Sequence, residues 1–202
     1  QVVVGLGLMF GNGAASYLSR LLGKGDKSTA NKVASTALYG SVFVGAILIV
    51  LAIIFLEPIL SLLGATDTIM PYALTYARIY VISCIFNVFN VTMNNIGASE
   101  GAAKTTMCAL LLGAVINMVL DPIFIYTLNM GVAGAAIATA ISQIVSTIVY
   151  LFYVLRKKSA FSFSLKEFVP KKEIMVEILK IGVPTLSFQL LTGLSIALLN
   201  RV

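Results

Sequence analysis

The chain has 202 residues, of which 59% are hydrophobic and 11% charged, and its mean hydropathy is +0.99. Soluble domains carry about 25% charged residues, so this composition excludes an ordinary soluble domain and indicates a polytopic membrane protein. The net charge of +6 does not indicate nucleic-acid binding, because the basic residues lie in the gaps between apolar runs.

Six apolar segments approach or exceed the roughly 20 residues that a helix needs to cross a bilayer. They cover residues 1–18, 33–56, 71–98, 105–128, 131–155 and 178–200. The runs lack the alternation of barrel strands, so we predict an all-α fold with six transmembrane helices. The chain begins with Gln1 inside an apolar segment, and we expect it to be an internal fragment of a longer protein.

The connections between these segments alternate in charge. Lysine and arginine occur in 19–32, 99–104 and 156–177, whereas 57–70 and 129–130 contain neither. By the positive-inside rule the basic side is cytoplasmic, so the first segment runs outside to inside. The long connection 156–177 is interpreted as a solvated cytoplasmic loop with a short surface helix, which is compatible with a joint between two helical lobes.

The third segment carries a polar stripe. Its members recur at every third or fourth position and therefore share one helix face; they are Tyr76, Tyr80, Ser83, Asn87, Asn90 and Asn94. Amide groups facing lipid would be unsatisfied, so the stripe faces protein or water. Hydrogen bonding between helices is one explanation, and a water-filled cavity, which we favour for so long a stripe, is the other.

Asp121 is the only charged residue between Lys104 and Arg156. A carboxylate at membrane depth costs several kcal/mol of desolvation unless it is compensated, and such acids usually mark an ion, proton or substrate site. Asn117 lies one turn earlier on the same face, and Pro122 leaves the carbonyl of Met118 without its helical donor. We predict a cation or proton site here; silent pairing with another helix is the alternative.

The fifth segment begins with small residues at 131–139 (GVAGAAIAT) that allow close helix packing. A polar face then continues along the helix, and Thr139 is the residue best placed to supplement an ion site. Arg78 is expected to extend towards the outer interface; lining a vestibule is the alternative. Glu100 is expected to be a turn residue beside Lys104.

Other residue types exclude several classes of site. The chain has no histidine, the commonest general base and metal ligand. Cys84 and Cys108 lie inside apolar runs, so we expect small buried packing residues rather than a disulfide or zinc site. An intramembrane enzyme would need a second catalytic group within the spans, and none is present, so we expect no enzyme and no cofactor.

Four motifs together resemble the multidrug and toxic compound extrusion (MATE) transporters. They are 11–26 (GNGAASYLSRLLGKGD), the Asn117-x-x-x-Asp121-Pro122 pattern, 131–139 (GVAGAAIAT) and 181–184 (IGVP). The resemblance covers essentially the whole chain. It implies twelve helices in two lobes, of which this chain holds helices two to seven: 1–155 in the N-terminal lobe without its first helix, 156–177 as the cytoplasmic inter-lobe loop, and 178–202 as the first helix of the C-terminal lobe.

The resemblance also implies functional residues. The family's cation ligands fall on Asn117, Asp121 and Thr139, with Asp121 the ligand of Na⁺ in a sodium-coupled member, and a cavity asparagine falls on Asn94. The stripe adds Tyr80, Asn87 and Asn90 as candidate substrate-cavity residues. The family's first-helix acid has no counterpart in this chain.

These features lead to an expected function. We expect a multi-pass protein of the cell membrane, monomeric at full length, that exports small organic cations in exchange for Na⁺ or H⁺. A flippase for lipid-linked saccharides is the alternative within transport; its diphosphate would favour several cavity arginines or lysines, and only Arg78 lies within a predicted N-lobe span. A purely structural membrane protein would not need the aligned stripe.

Overall fold

The computed structural model describes residues 2–62, 64–169 and 171–199, and within these ranges it contains helices and no strands. The helices are α1 (Val2–Lys24), α2 (Lys27–Ile54), α3 (Leu56–Leu62), α4 (Met70–Ser99), α5 (Ala103–Pro122), α6 (Gly131–Leu155) and α7 (Lys172–Leu199). All except α3 are long and apolar enough to cross a membrane. The predicted all-α fold with six transmembrane helices is confirmed for the described residues; residues 1 and 200–202 of the predicted spans lie outside them.

Several helices extend beyond the apolar segments that predicted them. The connection predicted at 19–32 shortens to residues 25 and 26, and α7 starts at Lys172 instead of residue 178. The polar turns at these helix ends are helical, but they were not included in the apolar segments because their residues are hydrophilic. Asp26 caps α2 by accepting the backbone N–H of Thr29 at 3.0 Å, and hydrogen bonds from Thr29 hold the pKa of the Asp26 carboxyl below its usual value. The connection predicted at 57–70 contains the short helix α3.

Helix α1 lies at the centre of the bundle and contacts α2, α4 and α7, while α6 packs between α4 and α5. The backbones of α1 and α7 are in direct contact. A Cβ atom on Gly182 would overlap the backbone oxygen of Met9, and one on Gly13 would overlap that of Ile178. Glycine at these positions lets the two helix backbones touch.

The connection from α6 to α7 is packed against the helices. Three hydroxyls of α2 donate to its backbone: Ser35 to Ser162 at 2.9 Å, Tyr39 to Phe163 at 2.7 Å, and Thr36 to Val169 at 3.2 Å. Phe161 is buried, and the expected surface helix is only a 3₁₀ turn at Leu165–Glu167. Most side chains of the connection are exposed, as expected for a solvated loop, but its backbone is also bound by α2 at Ser162, Phe163 and Val169.

Glu100 fixes the start of the same connection. It ends α4, where Gly101 (φ 79°) reverses the chain in a conformation that favours glycine. The Glu100 carboxylate accepts hydrogen bonds from the Tyr153 hydroxyl at 2.9 Å, the Ser159 hydroxyl at 2.9 Å and the backbone N–H of Ala160 at 2.6 Å. Our expectation of a simple turn residue was incomplete, because Glu100 joins α4, α6 and the connection after α6.

We expect Glu100→Ala to release the chain around 156–160. A hydrogen bond to a charged group contributes about 1.5–3 kcal/mol, and the carboxylate accepts several, so opening becomes at least roughly tenfold more frequent at about 1.4 kcal/mol per tenfold. The measurement is the rate of tryptic cleavage after Arg156 and Lys158. Glu173→Ala, which removes an exposed acid without a side-chain hydrogen bond among the described residues, is the matched control, and equal rates for both variants would contradict the prediction.

Candidate functional site

Asp121 lies where α5 loses its regular geometry. It is followed by Pro122, which cannot donate a backbone hydrogen bond, and then by a π-helical segment at Ile123–Thr127. The chain is therefore irregular next to Pro122, as its missing N–H predicts. Short π-helical segments occur frequently at functional sites, and this one begins two residues after Asp121, the only acidic residue of α5.

The three predicted cation-binding residues lie together. The Asn117 amide nitrogen is 3.4 Å from Asp121 Oδ1 and 3.4 Å from Thr139 Oγ1. The Thr139 hydroxyl donates to the backbone oxygen of Ala135 at 3.0 Å, which fixes the direction of its hydrogen and leaves its lone pairs towards Asn117. Distances of 3.4 Å are at the long end of hydrogen bonding, so these contacts are weak and the groups are free to rearrange around a ligand.

The chemistry of this cluster is that of a small hard cation or a proton. A carboxylate, an amide oxygen and a hydroxyl are all oxygen ligands, and they come from two helices, α5 and α6. Within the described ranges, Asp121 has no ion-pair partner, since the ion pair found there joins Arg20 to Glu177. These ranges also hold no group of three or more His, Cys, Asp or Glu side chains suited to a metal ion.

A cavity of about 480 Å³ opens beside this cluster, between α1, α4, α5 and α6. Its volume falls within the roughly 300–1,000 Å³ typical of small-molecule sites. Ten of the sixteen lining residues are polar and none is charged; the polar members are Asn87, Asn90, Asn94, Asn95, Asn117, Thr139, Ser142, Gln143, Ser146 and Tyr150. Asn117 and Thr139 thus belong both to the cavity wall and to the cluster around Asp121.

Two asparagines of α4 also bind α6. The Asn90 amide donates to the side-chain oxygen of Gln143 at 2.8 Å and accepts from the Thr147 hydroxyl at 2.9 Å. Asn94 donates to the Tyr150 hydroxyl at 3.2 Å. Both explanations of the stripe therefore apply to this part of it: the side chains connect two helices, and they line a cavity.

Asn87 differs from the other two. It lines the cavity, and its side-chain oxygen is buried without a hydrogen-bond partner among the described residues. A buried unsatisfied acceptor costs about 1–3 kcal/mol. A water or ligand that donates a hydrogen bond to this oxygen would remove that energetic cost. Asn87 is therefore the lining residue that an occupant of the cavity would stabilise most directly.

The outer part of the stripe lies apart from the cavity. Tyr80 stacks on Tyr76 with ring centroids 5.7 Å apart, and Ser83 donates to the backbone oxygen of Tyr80 at 2.7 Å. Neither tyrosine lines the cavity. A role for Tyr80 in a substrate path stays a prediction, and so do the roles of Asn87, Asn90 and Asn94.

Two residues near the cavity were missed by the sequence reasoning. Thr147 lies one turn after Gln143, so its place on the polar face of α6 was readable from spacing. Asn95 lines the cavity and donates to the backbone oxygen of Val91 at 2.9 Å. It lies next to the stripe but outside its three-or-four-residue spacing, so no sequence signal marked it.

In the described part of the chain, six helices able to span a membrane, packed around a cavity, define a multi-pass membrane protein. Comparison with known proteins gives the family. The MatE family model matches residues 1–123, and the chain belongs to that family. The resemblance found in the sequence is thus confirmed, and so is the expected location as a multi-pass protein of the cell membrane.

Individual relatives agree with this assignment. The chain is 36% identical over 199 residues to the multidrug export protein MepA of Staphylococcus saprophyticus, covering 98% of this chain and 44% of that protein. A crystal structure of MATE in the bent conformation superposes with a TM-score of 0.92 at 33% identity, covering 100% of this chain and 45% of that one. An inward-facing multidrug resistance MATE family transporter gives 0.86 at 33% identity, covering 92% and 42%. The chain spans less than half the length of these relatives.

Proposed function

We propose that the complete protein is a secondary active exporter that expels organic, often cationic, drugs across the cell membrane in exchange for Na⁺ or H⁺. The names of similar proteins, multidrug export protein and multidrug resistance transporter, support export of small molecules. The observation that carries cation coupling is the Asp121 carboxylate, which lies against Asn117 and has no ion-pair partner among the described residues.

The proposed ion site works by exchange of hydrogen-bond partners. In the arrangement described, the Asn117 amide presents its nitrogen to Asp121 and Thr139. Rotation of that amide by half a turn replaces the nitrogen with the oxygen, which supplies a ligand for Na⁺ beside the carboxylate and the hydroxyl. With H⁺ as the coupling ion, the carboxylate takes the proton and the amide keeps its present orientation.

The ion site is coupled to the cavity through α6, because this helix contributes residues to both. Helix α6 carries Thr139 at the ion cluster and also Gln143 and Tyr150, which bond to Asn90 and Asn94 of α4. A shift of α6 that accompanies ion binding therefore changes the cavity wall. A cation can bias inward-facing against outward-facing states only by binding them with different affinity. A shift of α6 between the two states would change the position of Thr139 and so give the two states different ion affinities.

The cavity lining suits a desolvated organic cation. It offers amide and hydroxyl oxygens and the ring of Tyr150, with Asp121 nearby as the negative charge. Neutral polar oxygens and aromatic faces attract cations without holding them irreversibly. The lining residues include no lysine or arginine, and Arg78 is exposed on α4, so this cavity lacks the charges that the diphosphate of a lipid-linked saccharide would require.

We expect the complete protein, reconstituted in liposomes loaded with ethidium, to release the dye only when a Na⁺ or H⁺ gradient is imposed. Each gradient is applied separately, and fluorescence loss is followed in time. The gradient that drives release identifies the coupling ion. Protein-free liposomes are the control, and release that is independent of both gradients would contradict cation coupling. Transfer of a lipid-linked saccharide without dye export would favour the flippase.

A further inference from the structure

A second cavity lies at the cytoplasmic ends of α5 and α6, away from the ion cluster, and has a volume of about 410 Å³. Three basic residues line it: Lys104 from the first turn of α5, Arg156 at the end of α6, and Lys158 just beyond. Its remaining wall includes Cys108, Val149 and Phe152, which come from the apolar parts of the same two helices. The cavity is therefore basic at its cytoplasmic end and apolar towards the bilayer.

The basic residues are available to an anion. Among the described residues none of Lys104, Arg156 and Lys158 forms an ion pair, and all three are exposed. Arg156 lies 5.9 Å from the ring centre of Phe152, which draws its guanidinium over the cavity side of α6. The acid nearest to this end is Glu100, which lines an adjoining cavity shared with Lys104 and Lys158. Its carboxylate already accepts three donors, so the cluster keeps a net positive charge.

The surroundings place this cavity at the level of lipid headgroups. Large apolar side chains are exposed on the same stretches of α5 and α6, including Met107, Leu151 and Leu155. Such side chains face hydrocarbon in a membrane-spanning helix. The basic ends of α5 and α6 are on the cytoplasmic side by their charge, where the leaflet carries anionic lipids, and basic pockets between transmembrane helices on this side bind anionic headgroups.

We propose that the α5–α6 basic cavity, formed by Lys104, Arg156 and Lys158 above Cys108, Val149 and Phe152, binds an anionic phospholipid of the cytoplasmic leaflet. The phosphate lies among the three cations, and an acyl chain lies along the apolar wall. Basic residues at helix ends also set orientation during insertion, but that role requires neither convergence on one cavity nor an apolar wall beneath it. Lys157 illustrates the difference, because it is exposed in the same segment and does not line the cavity.

The test uses the complete transporter in phosphatidylcholine nanodiscs, titrated with a photoactivatable phosphatidylglycerol. The variant Lys104→Gln/Arg156→Gln/Lys158→Gln is compared with Lys157→Gln/Lys171→Gln/Lys172→Gln, which loses the same charge from the same face. Each cation near an anionic lipid contributes about 1 kcal/mol, so the cavity variant is expected to label roughly 100-fold more weakly, while the control variant labels like the parent protein. Crosslinked peptides are expected from 104–108 and 149–158.

Four outcomes would overturn the proposal. Equal loss in both variants would show attraction by the whole basic face, and equal labelling by a phosphatidylcholine probe would show that the headgroup charge is irrelevant. Competition by inorganic phosphate at the same concentration as the lipid would identify a free anion as the ligand instead. The position of the crosslinks in the parent protein tests the site even where the cavity variant does not fold, because labels outside both peptides would place the lipid elsewhere.

Discussion

Replacing Asp121 by asparagine is expected to lower the affinity for the coupling ion about a thousandfold. Gradient-driven drug export is expected to fall as a result. At an effective dielectric constant of about 20, a unit charge about 4 Å away contributes about 4 kcal/mol, and each 1.4 kcal/mol is about tenfold in binding. The side chain keeps its size and can still bond to Asn117, so the fold is preserved and only the charge is lost. The measurement is dye efflux from liposomes against the concentration of the coupling ion.

Asp67→Asn is the matched control for this experiment. Asp67 makes the same change from carboxylate to amide, but it is exposed in the turn before α4. Parent-like efflux is expected for it at every ion concentration. If Asp121→Asn also transports at the parent rate and with the same ion dependence, Asp121 is not the coupling residue. Loss of binding of both dye and ion would instead indicate a collapsed cavity, which a melting curve of the variant detects.

The second large effect is expected from Gly182→Ala. A Cβ atom at this position would overlap the backbone oxygen of Met9, and neither backbone can move away without separating α1 from α7. Overpacking of a well-packed contact typically costs about 1–3 kcal/mol, and a clash with backbone belongs at the upper end of that range or beyond it. The melting temperature of the purified complete protein is therefore expected to decrease clearly.

Gly23→Ala provides the comparison within the same pair of helices. Gly23 lies in α1, and no atom lies within 4 Å of the position that its Cβ would take. Because alanine favours a helix over glycine by up to about 1 kcal/mol, this variant is expected to melt at the same temperature or slightly higher. Equal melting temperatures for Gly182→Ala and the parent protein would show that α1 and α7 are not in backbone contact.

The membrane-spanning helices were predictable where their ends carry a clear signal. Helix α6 was predicted at its observed bounds because its apolar run starts at Gly131 and stops before Arg156. The predicted start of α7, at residue 178, was too late. The first turns of the helix contain Lys172, Glu173 and Glu177, and charged residues were assigned to the connection and not to the apolar segment. Those turns are helical because they lie against the bundle, where Glu177 is 3.6 Å from Arg20.

The candidate site was predictable to the extent that its residues share a helix. Asn117 and Asp121 are one turn apart, so their contact follows from helix geometry. The placement of Thr139 beside them depended on how α5 and α6 pack; the polar face of α6 made Thr139 a candidate, and the family resemblance assigned it to the ion site. The three donors to the Glu100 carboxylate were not predictable in this way, because two of them, Ser159 and Ala160, lie in a connection whose course is decided by tertiary contacts.

The bonds between α2 and the connection that follows α6 restrict how α7 can move. Thr36 exchanges hydrogen bonds with the backbone of Val169, at 3.2 Å to its oxygen and 3.3 Å from its nitrogen. Only Pro170 and Lys171 separate this anchor from the start of α7 at Lys172. A helix anchored so closely at one end can tilt about that end more easily than it can slide along its own axis. We therefore expect any motion of α7 against the other helices to be a tilt about its anchored end.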